Sequence, residues 1–368
     1  MRIPELMSLV IRHTRNAVAE EIYLRSGRDF TKPVAIHAVV NEICNYKCRY
    51  CEFWRMPKYR SEMQIADWQK ALLDLREFIG GGYHVEFSGG EPYLKKGFLD
   101  LLEFCHQQGL KWGVTTNGAA FSSKTVVSAT VGARPLNVNI SIDSLRPEVH
   151  DYSRGITGSL DRILRGIANV REARKAAGLD FPIIIKPVVH RLNFREMPKM
   201  VGWIQEIGAS AINFQPVDRW TPETYKELWI EDAKDLADLQ EVVDELLGMK
   251  ARGAPIMNSE VLLRAWKPHF LSQTAPEEVL PCRVGMRNYF IRPDGEVEVC
   301  WNYKAIGNVR SSNAREIWYG AEGKQRRKET VECDTLCLFT CLSQKTLMDK
   351  VNMGLVLIAP HQPERESR

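Results

Sequence analysis

No stretch of this sequence stays apolar for the roughly 18 residues a bilayer span needs. The N-terminus offers only Leu6 to Ile11 before Arg12 and His13, too short an apolar run for a signal-peptide core. These absences lead to the expectation of a cytoplasmic protein without a membrane span. An excess of one charge is also missing: 50 Lys and Arg against 46 Asp and Glu leave a net charge of +4. That excludes a basic nucleic-acid arm or an acidic disordered region as the main theme. There is no internal repeat and no low-complexity segment. What is present suits a globular chain: 44% apolar and 26% charged residues over 368 positions, room for one large and one small domain. Nine cysteines stand out. In a reducing compartment they read as metal ligands or catalytic groups before they read as disulfides.

Between the cysteine clusters the pattern alternates strand and helix. Ala35–Ile43, His84–Phe87, Trp112–Thr116, Asn137–Ile142, Pro182–Val189 and Ala211–Pro216 read as strands. Met63–Ile79, Phe98–Gln107, Lys124–Thr130, Ser159–Lys175 and Met197–Ile207 read as helices. In the first of these, Ile65, Trp68, Leu72, Leu75 and Ile79 share one face. Strand–helix alternation implies parallel strands with right-handed crossovers. The expected fold is therefore α/β, either doubly wound or a partial (β/α)6 TIM-like barrel, with ligand-contacting residues at the C-terminal strand ends. Residues 1–34 hold one amphipathic segment, roughly Leu6–Leu24, expected to cap the barrel mouth or bottom. The core runs over 35–219 and a helical connector over 220–280. A β-hairpin around Pro293-Asp294-Gly295 opens a small domain at 281–345. The 346–368 tail turns polar after Pro360 and is expected to fray.

Cys44, Cys48 and Cys51 follow the first strand with spacing C-x3-C-x2-C. Thiolates are soft ligands that suit zinc or an iron–sulfur cluster. Three of them can ligate three irons of a cubane and leave the fourth open to a substrate or cofactor. A structural zinc knuckle or plain buried thiols would use the same residues.

The loop and its strand position resemble the signature of the radical S-adenosylmethionine (SAM) superfamily. The resemblance covers residues 35–216. It implies a [4Fe–4S] cluster on Cys44, Cys48 and Cys51 whose open iron chelates SAM, and whose electron yields a 5′-deoxyadenosyl radical. An electron donor such as flavodoxin or ferredoxin is implied as partner. Ser88-Gly89-Gly90-Glu91-Pro92 resembles the family's Gly-Gly-Glu segment; Gly89 and Gly90 would let backbone approach SAM, and Glu91 would accept from its ammonium. Tyr50 matches the aromatic expected beside adenine. Asn117 resembles the third-strand ligand, with an Asn-Gly turn as its other reading. Ser141 and Asp143 resemble positions that meet the SAM ribose or carboxylate. Arg154 resembles the residue that pairs with that carboxylate, against the reading of a solvated arginine. Gln215, at the last strand end, joins the cofactor-binding set.

Five further cysteines close the chain: Cys282, Cys300, Cys333, Cys337 and Cys341. With Gly295 before Cys300 and Gly307-Asn308-Val309 after it, they resemble the SPASM or shorter Twitch extension, which binds auxiliary clusters. Four ligands fill one [4Fe–4S] cluster, so one auxiliary cluster is implied, with one cysteine of the five spare. Which two of Cys333, Cys337 and Cys341 join Cys282 and Cys300 stays open, as does a tetrahedral zinc site. Cys105 sits among apolar helix neighbours and reads as a buried hydrophobe.

The resemblance leaves the substrate open. Peptide-modifying members often carry an additional N-terminal domain, which residues 1–34 cannot form. That favours a small molecule such as a sugar, aminocyclitol or nucleoside, either oxidised or epimerised, over a peptide. Lys186, His190, Gln215, Asp218 and Arg219 are the pocket candidates. A non-catalytic iron–sulfur carrier or a zinc-binding module is the reading from another class.

Overall fold

The computed structural model describes residues 3–55, 61–81, 83–274, 279, 281–342, 346, 348, 349 and 351. The polar tail after Pro360 lies outside them. Five strands alternate with helices first: β1 Ala35–Val39, β2 His84–Ser88, β3 Lys111–Thr116, β4 Asn137–Ile140 and β5 Ile183–Ile185. Then come β6 Val188–Val189, β7 Ala211–Ile212 and β8 Gln215–Pro216. The last two expected strands are thus each split in two. Pro187 explains the first break, since it has no N–H for the ladder. Backbone bonds still cross the gaps, from Asn213 to Ile185 and from Gln215 to Pro187.

The C-terminal hairpin forms as expected around Gly295, whose φ of +90° suits its turn position. Its strands are β9 Asn288–Ile291 and β10 Glu296–Glu298, followed by β11 Gly307–Asn308. The hairpin does not build a sheet of its own. It extends the main one, in the order β11-β10-β9-β1-β2-β3-β4-β5-β7, with β9 parallel to β1. β6 and β8 pair separately. The result is an open, mostly parallel α/β sheet.

Helices cover it as the periodicity demands. The Ile65–Ile79 helix buries Trp68, Ala71, Leu72, Leu75 and Phe78 and stops at Gly80, left-handed at φ 82°. Ile3–Ser26 is a helix beside the N-terminal ends of β1 and β9, away from the strand ends that carry the motifs. Its Asn16 donates to the Met286 carbonyl, and its Glu20 accepts from Arg287 at 2.7 Å. The Ala233–Ala251 helix and two five-residue helices, Glu260–Arg264 and Trp266–Phe270, make the connector. Among the described residues no helix is long and apolar enough to cross a membrane.

The sheet carries a polar layer. Glu86 accepts from Thr115 Oγ1 at 2.7 Å and Asn139 Nδ2 at 2.6 Å on one oxygen, and from Asn137 Nδ2 at 3.2 Å on the other. Gly113 makes room for it: a Cβ there would stand 2.4 Å from Asn137 Oδ1 and 2.5 Å from Glu86 Oε2. Gly113→Ala is therefore expected to cost about 1–3 kcal/mol. Gly132→Ala, with open space around it at a helix end, should be neutral or slightly stabilising. Thermal unfolding of both variants checks the pair; equal melting temperatures would contradict the packing account.

Candidate active site

The cysteine loop leaves β1 and is gripped from two sides. On one side Gly90 N donates to Asn41 O at 3.0 Å and Glu91 N to Ile43 O at 2.8 Å, while Asn41 Nδ2 returns a bond to Glu91 O. A Cβ on Gly89 would lie 2.5 Å from Asn41 O, and one on Gly90 2.3 Å from Ile43 O. The two glycines are thus required first by the loop's own backbone. On the other side the helix Pro147–Arg154 ends at Gly155, where a Cβ would lie 2.3 Å from Lys47 O. Lys47 N donates to Arg154 O, and Arg49 N to Ser153 O at 2.9 Å. Within the loop, Cys51 N and Trp54 Nε1 both donate to Cys48 O, and Tyr46 N donates to Cys44 Sγ at 3.4 Å.

Cys44, Cys48 and Cys51 open on one cavity of about 210 Å³. Tyr50, Gly89, Gly90, Asn117, Ser141, Arg154, Gln215 and Asp218 also line it. Lys186, His190 and Arg219 do not. Burial pushes the Cys48 thiol up to about 12 and the Cys44 thiol to about 11, and raises Cys51 as well. Such thiols are poor nucleophiles. They become thiolates when a bound cation replaces the proton.

Asp143 and Glu91 lie behind the cavity wall. Asp143 is fully buried and holds a network together. Its carboxylate accepts from Arg154 Nη2 at 2.6 Å, Tyr50 Oη at 2.6 Å, Val188 N at 2.9 Å and Ser153 Oγ at 3.1 Å. Burial opposes its charge, but Arg154, with His150, His190 and the Tyr50 bond, keeps the carboxyl down at about 2. The carboxylate placed by resemblance against SAM thus has Arg154 as its ion-pair partner within the protein. Glu91 likewise has internal partners: it accepts from Thr116 Oγ1 and Asn117 N at 2.8 Å, and from Tyr93 N at 3.3 Å. Burial still lifts its carboxyl to about 7 against those bonds. The turn reading of Asn117 is seen in the structure. The residue lines the cavity, and its side chain also makes the turn bond to Ala119 N and bonds Asn45.

The rear cysteines gather as well. Cys282, Cys300, Cys333 and Cys337 line a second cavity of about 270 Å³. Cys341 is next to it, with its carbonyl accepting from Asn288 Nδ2. Burial raises Cys282 and Cys300 to about 11 and lifts Cys337 further. At Cys333 burial is outweighed by hydrogen bonds from Thr335 and Tyr303, and its thiol is lowered. The described cysteines form no disulfide. Nor are three Cys, His, Asp or Glu side chains among the described residues drawn together as one ion would need.

A family model for the radical SAM superfamily matches residues 39–203, and one for the SPASM iron–sulfur cluster-binding domain matches residues 282–342. The chain carries a radical SAM superfamily domain and, at its C-terminal side, a SPASM domain. An AdoMet-dependent heme synthase of Methanosarcina barkeri is 24% identical over 310 residues, 80% of this chain and 84% of that protein. A PqqA peptide cyclase of Xanthomonas campestris pv. campestris is 29% identical over 313 residues, 83% of this chain and 78% of the cyclase. Streptococcus suis SuiB bound to S-adenosylmethionine superposes with a TM-score of 0.65 at 17% identity, covering 83% of this chain and 73% of SuiB. That likeness shows the fold. The radical SAM domain brings SAM and a [4Fe–4S] cluster, and the SPASM match brings auxiliary iron–sulfur chemistry.

The residues of this chain fit such groups. Two buried polar atoms of cavity-lining side chains, Arg154 Nε and Tyr46 Oη, have no hydrogen-bond partner among the described residues. Tyr46, Phe53, Trp220 and Phe339 also line the cavity, and none was singled out from the sequence. Aromatic spacing alone did not distinguish them from core. Breaking the Asp143–Arg154 pair leaves a buried charge uncompensated. Asp143→Asn is expected to lose about 3–5 kcal/mol of stability, whereas Tyr50→Phe should lose only about 1.5–3 kcal/mol for one bond to a charged group. Denaturant titration of the two variants tests the order; a larger loss for Tyr50→Phe would refute it.

Proposed function

We propose that this chain reductively cleaves SAM and uses the 5′-deoxyadenosyl radical to take a hydrogen atom from a small metabolite, with net oxidation. The observation that carries the reading is the meeting of three thiols, the Gly-Gly turn and the unpartnered Arg154 Nε on one cavity. Cys44, Cys48 and Cys51 would hold the SAM-binding cluster. Gly89, Gly90, Ser141 and Arg154 would bind and orient SAM, with Glu91 and Asp143 fixing the turn and the arginine. Cys282, Cys300, Cys333 and Cys337 would hold one auxiliary cluster of the Twitch type. Bound, the two clusters would supply one electron to SAM and accept one from the substrate radical.

Oxidation is favoured over epimerisation by how the cavities adjoin. Trp301 follows Cys300 directly. Its ring meets Phe339 edge-on at 4.9 Å, and Phe339 stacks on Trp220 at 4.8 Å. Both Phe339 and Trp220 line the front cavity. Packed side chains therefore join the two sites. The substrate does not follow from kinship, since the relatives act on different molecules: one is a heme synthase, another a peptide cyclase.

Two predictions test the reading. Anaerobically reconstituted protein should carry about eight irons. Replacing Cys44, Cys48 and Cys51 together by Ala should leave about four and abolish formation of 5′-deoxyadenosine under reduction. Stoichiometric zinc, or continued cleavage, would sink the assignment. Cys282→Ala with Cys300→Ala should preserve part of the uncoupled SAM cleavage but stop substrate conversion, with circular dichroism confirming the fold. Wild-type turnover by that folded variant would reduce the rear cysteines to structure. Deuterium transfer from labelled candidate substrates into 5′-deoxyadenosine identifies the site attacked, and a labelled peptide in the same assay tests the peptide alternative.

A further inference from the structure

The front cavity has one charge to spare. Its described lining holds one basic and one acidic side chain, Arg154 and Asp218. Arg154 is already paired with Asp143 at 2.6 Å. Asp218 has no ion pair among the described residues. One oxygen, Oδ1, accepts from the backbone N–H of Arg219 at 2.6 Å, which fixes the carboxylate just past β8. The neighbouring cation turns away: the Arg219 guanidinium stacks over Trp229 at 4.1 Å and Tyr225 at 5.3 Å. His269, the other titratable group near Asp218, is tied to the Val217 carbonyl at 2.9 Å.

Beside this carboxylate stands an aromatic wall. Trp220 is 39% exposed, an unusual state for so large a ring. It stacks on Phe339 with the planes 15° apart, and both rings line the cavity. A carboxylate that shares a cavity with two aromatic rings offers a cation both an ion pair and the ring quadrupoles. The rings also accept an apolar face. Anionic substrates find the reverse, since the only lining cation among the described residues is occupied.

The position separates this corner from the Gly-Gly-Glu turn, while Gln215 of the expected cofactor-binding set stands three residues before it on the same cavity. The Gly-Gly-Glu turn follows β2, whereas Asp218 follows β8, which continues from β7 at the far edge of the sheet. We propose that Asp218 is the substrate-specificity residue of this site, and that it anchors an organic ammonium group carried on a ring that lies against Trp220 and Phe339. This rests on the proposed function and narrows its substrate to amine-bearing ring compounds.

The test uses the reconstituted holoenzyme with SAM and two probes of one shape, trans-2-aminocyclohexanol and trans-1,2-cyclohexanediol. They differ only in the ammonium group. Calorimetric or saturation-transfer titration of wild type should show the amine binding at least about ten-fold more tightly, as a charge-assisted bond implies. Asp218→Asn should abolish that preference, and Trp220→Ala should weaken both probes while keeping their ratio. Equal affinity in wild type, no binding of either probe, or a preference that survives Asp218→Asn would overturn the proposal. So would a ten-fold loss of SAM affinity in Asp218→Asn, which would assign the carboxylate to SAM. Failure of the parent reading looks different: wild type would then make no 5′-deoxyadenosine, whatever the probes do.

Discussion

Three backbone carbonyls decide how this protein is built. Those of Asn41, Ile43 and Lys47, all in the segment that carries the cysteines, press against Gly89, Gly90 and Gly155 at distances that leave no room for a Cβ. A loop with three free thiols and little regular structure has no reason to hold one shape. Here it is wedged between the end of β2 and the end of a helix, its carbonyls accepting from the β2 side and its N–H groups donating to the helix. The wedge is what turns a sequence spacing into three thiols on one cavity. It also explains why the Gly-Gly pair matters before any ligand arrives, since its first task is to admit the neighbouring chain.

The second constraint is electrostatic. Asp143 and Arg154 are both buried, and such a pair is costly to desolvate unless its remaining polar atoms are satisfied. Asp143 meets that condition with bonds from Tyr50, Ser153 and Val188 N. Those partners come from the cysteine loop, the helix end and β6, so one carboxylate ties together elements distant in sequence. Arg154 meets it only in part, because Nε is left over. Under the proposed function, that unsatisfied donor would be the point where the network meets a ligand. An arginine already fixed by an internal partner presents that donor in one orientation.

Much of this was legible in the sequence, for physical reasons that can be named. The Phe98–Gln107 helix was placed to the residue, because Gly97 and Gly109 bound a strong apolar period. The strand ends carrying the motifs were also placed, since alternation fixes their direction. The helix Pro147–Arg154 was missed. Its buried face is Val149, His150, Ser153 and Arg154, a polar set that no hydrophobic period reveals. The signal was nevertheless there, in Pro147 at its first turn and Gly155 just past its end. The internal partners of Asp143 and Glu91 were not legible either. A carboxylate near a cavity looks the same in sequence whether it faces a ligand or fixes the residue that does. The wall made by Trp220, Phe339 and Trp301 joins parts of the chain over a hundred positions apart in its first step, and only tertiary structure shows it.

The pairing of β9 with β1 has a consequence for how the two halves work together. A hairpin on a flexible tether would leave its cysteines at a variable distance from the front loop. Four residues of β9 in parallel register with Ala35–Ala38 remove that freedom. The N-terminal helix reinforces the junction, as Glu20 bonds Arg287 immediately before β9 and Asn16 bonds Met286. Electron transfer between sites depends steeply on separation, and orientation of a substrate between them depends on both walls staying fixed. The same β-ladder that continues the sheet therefore sets the geometry of the cavity wall: Phe290 on β9 packs against Trp301, Trp301 against Phe339, and Phe339 against Trp220 beside Asp218. A change that loosens β9 should disturb this aromatic wall before it disturbs the cysteine loop, whose grip comes from β2 and the Pro147–Arg154 helix.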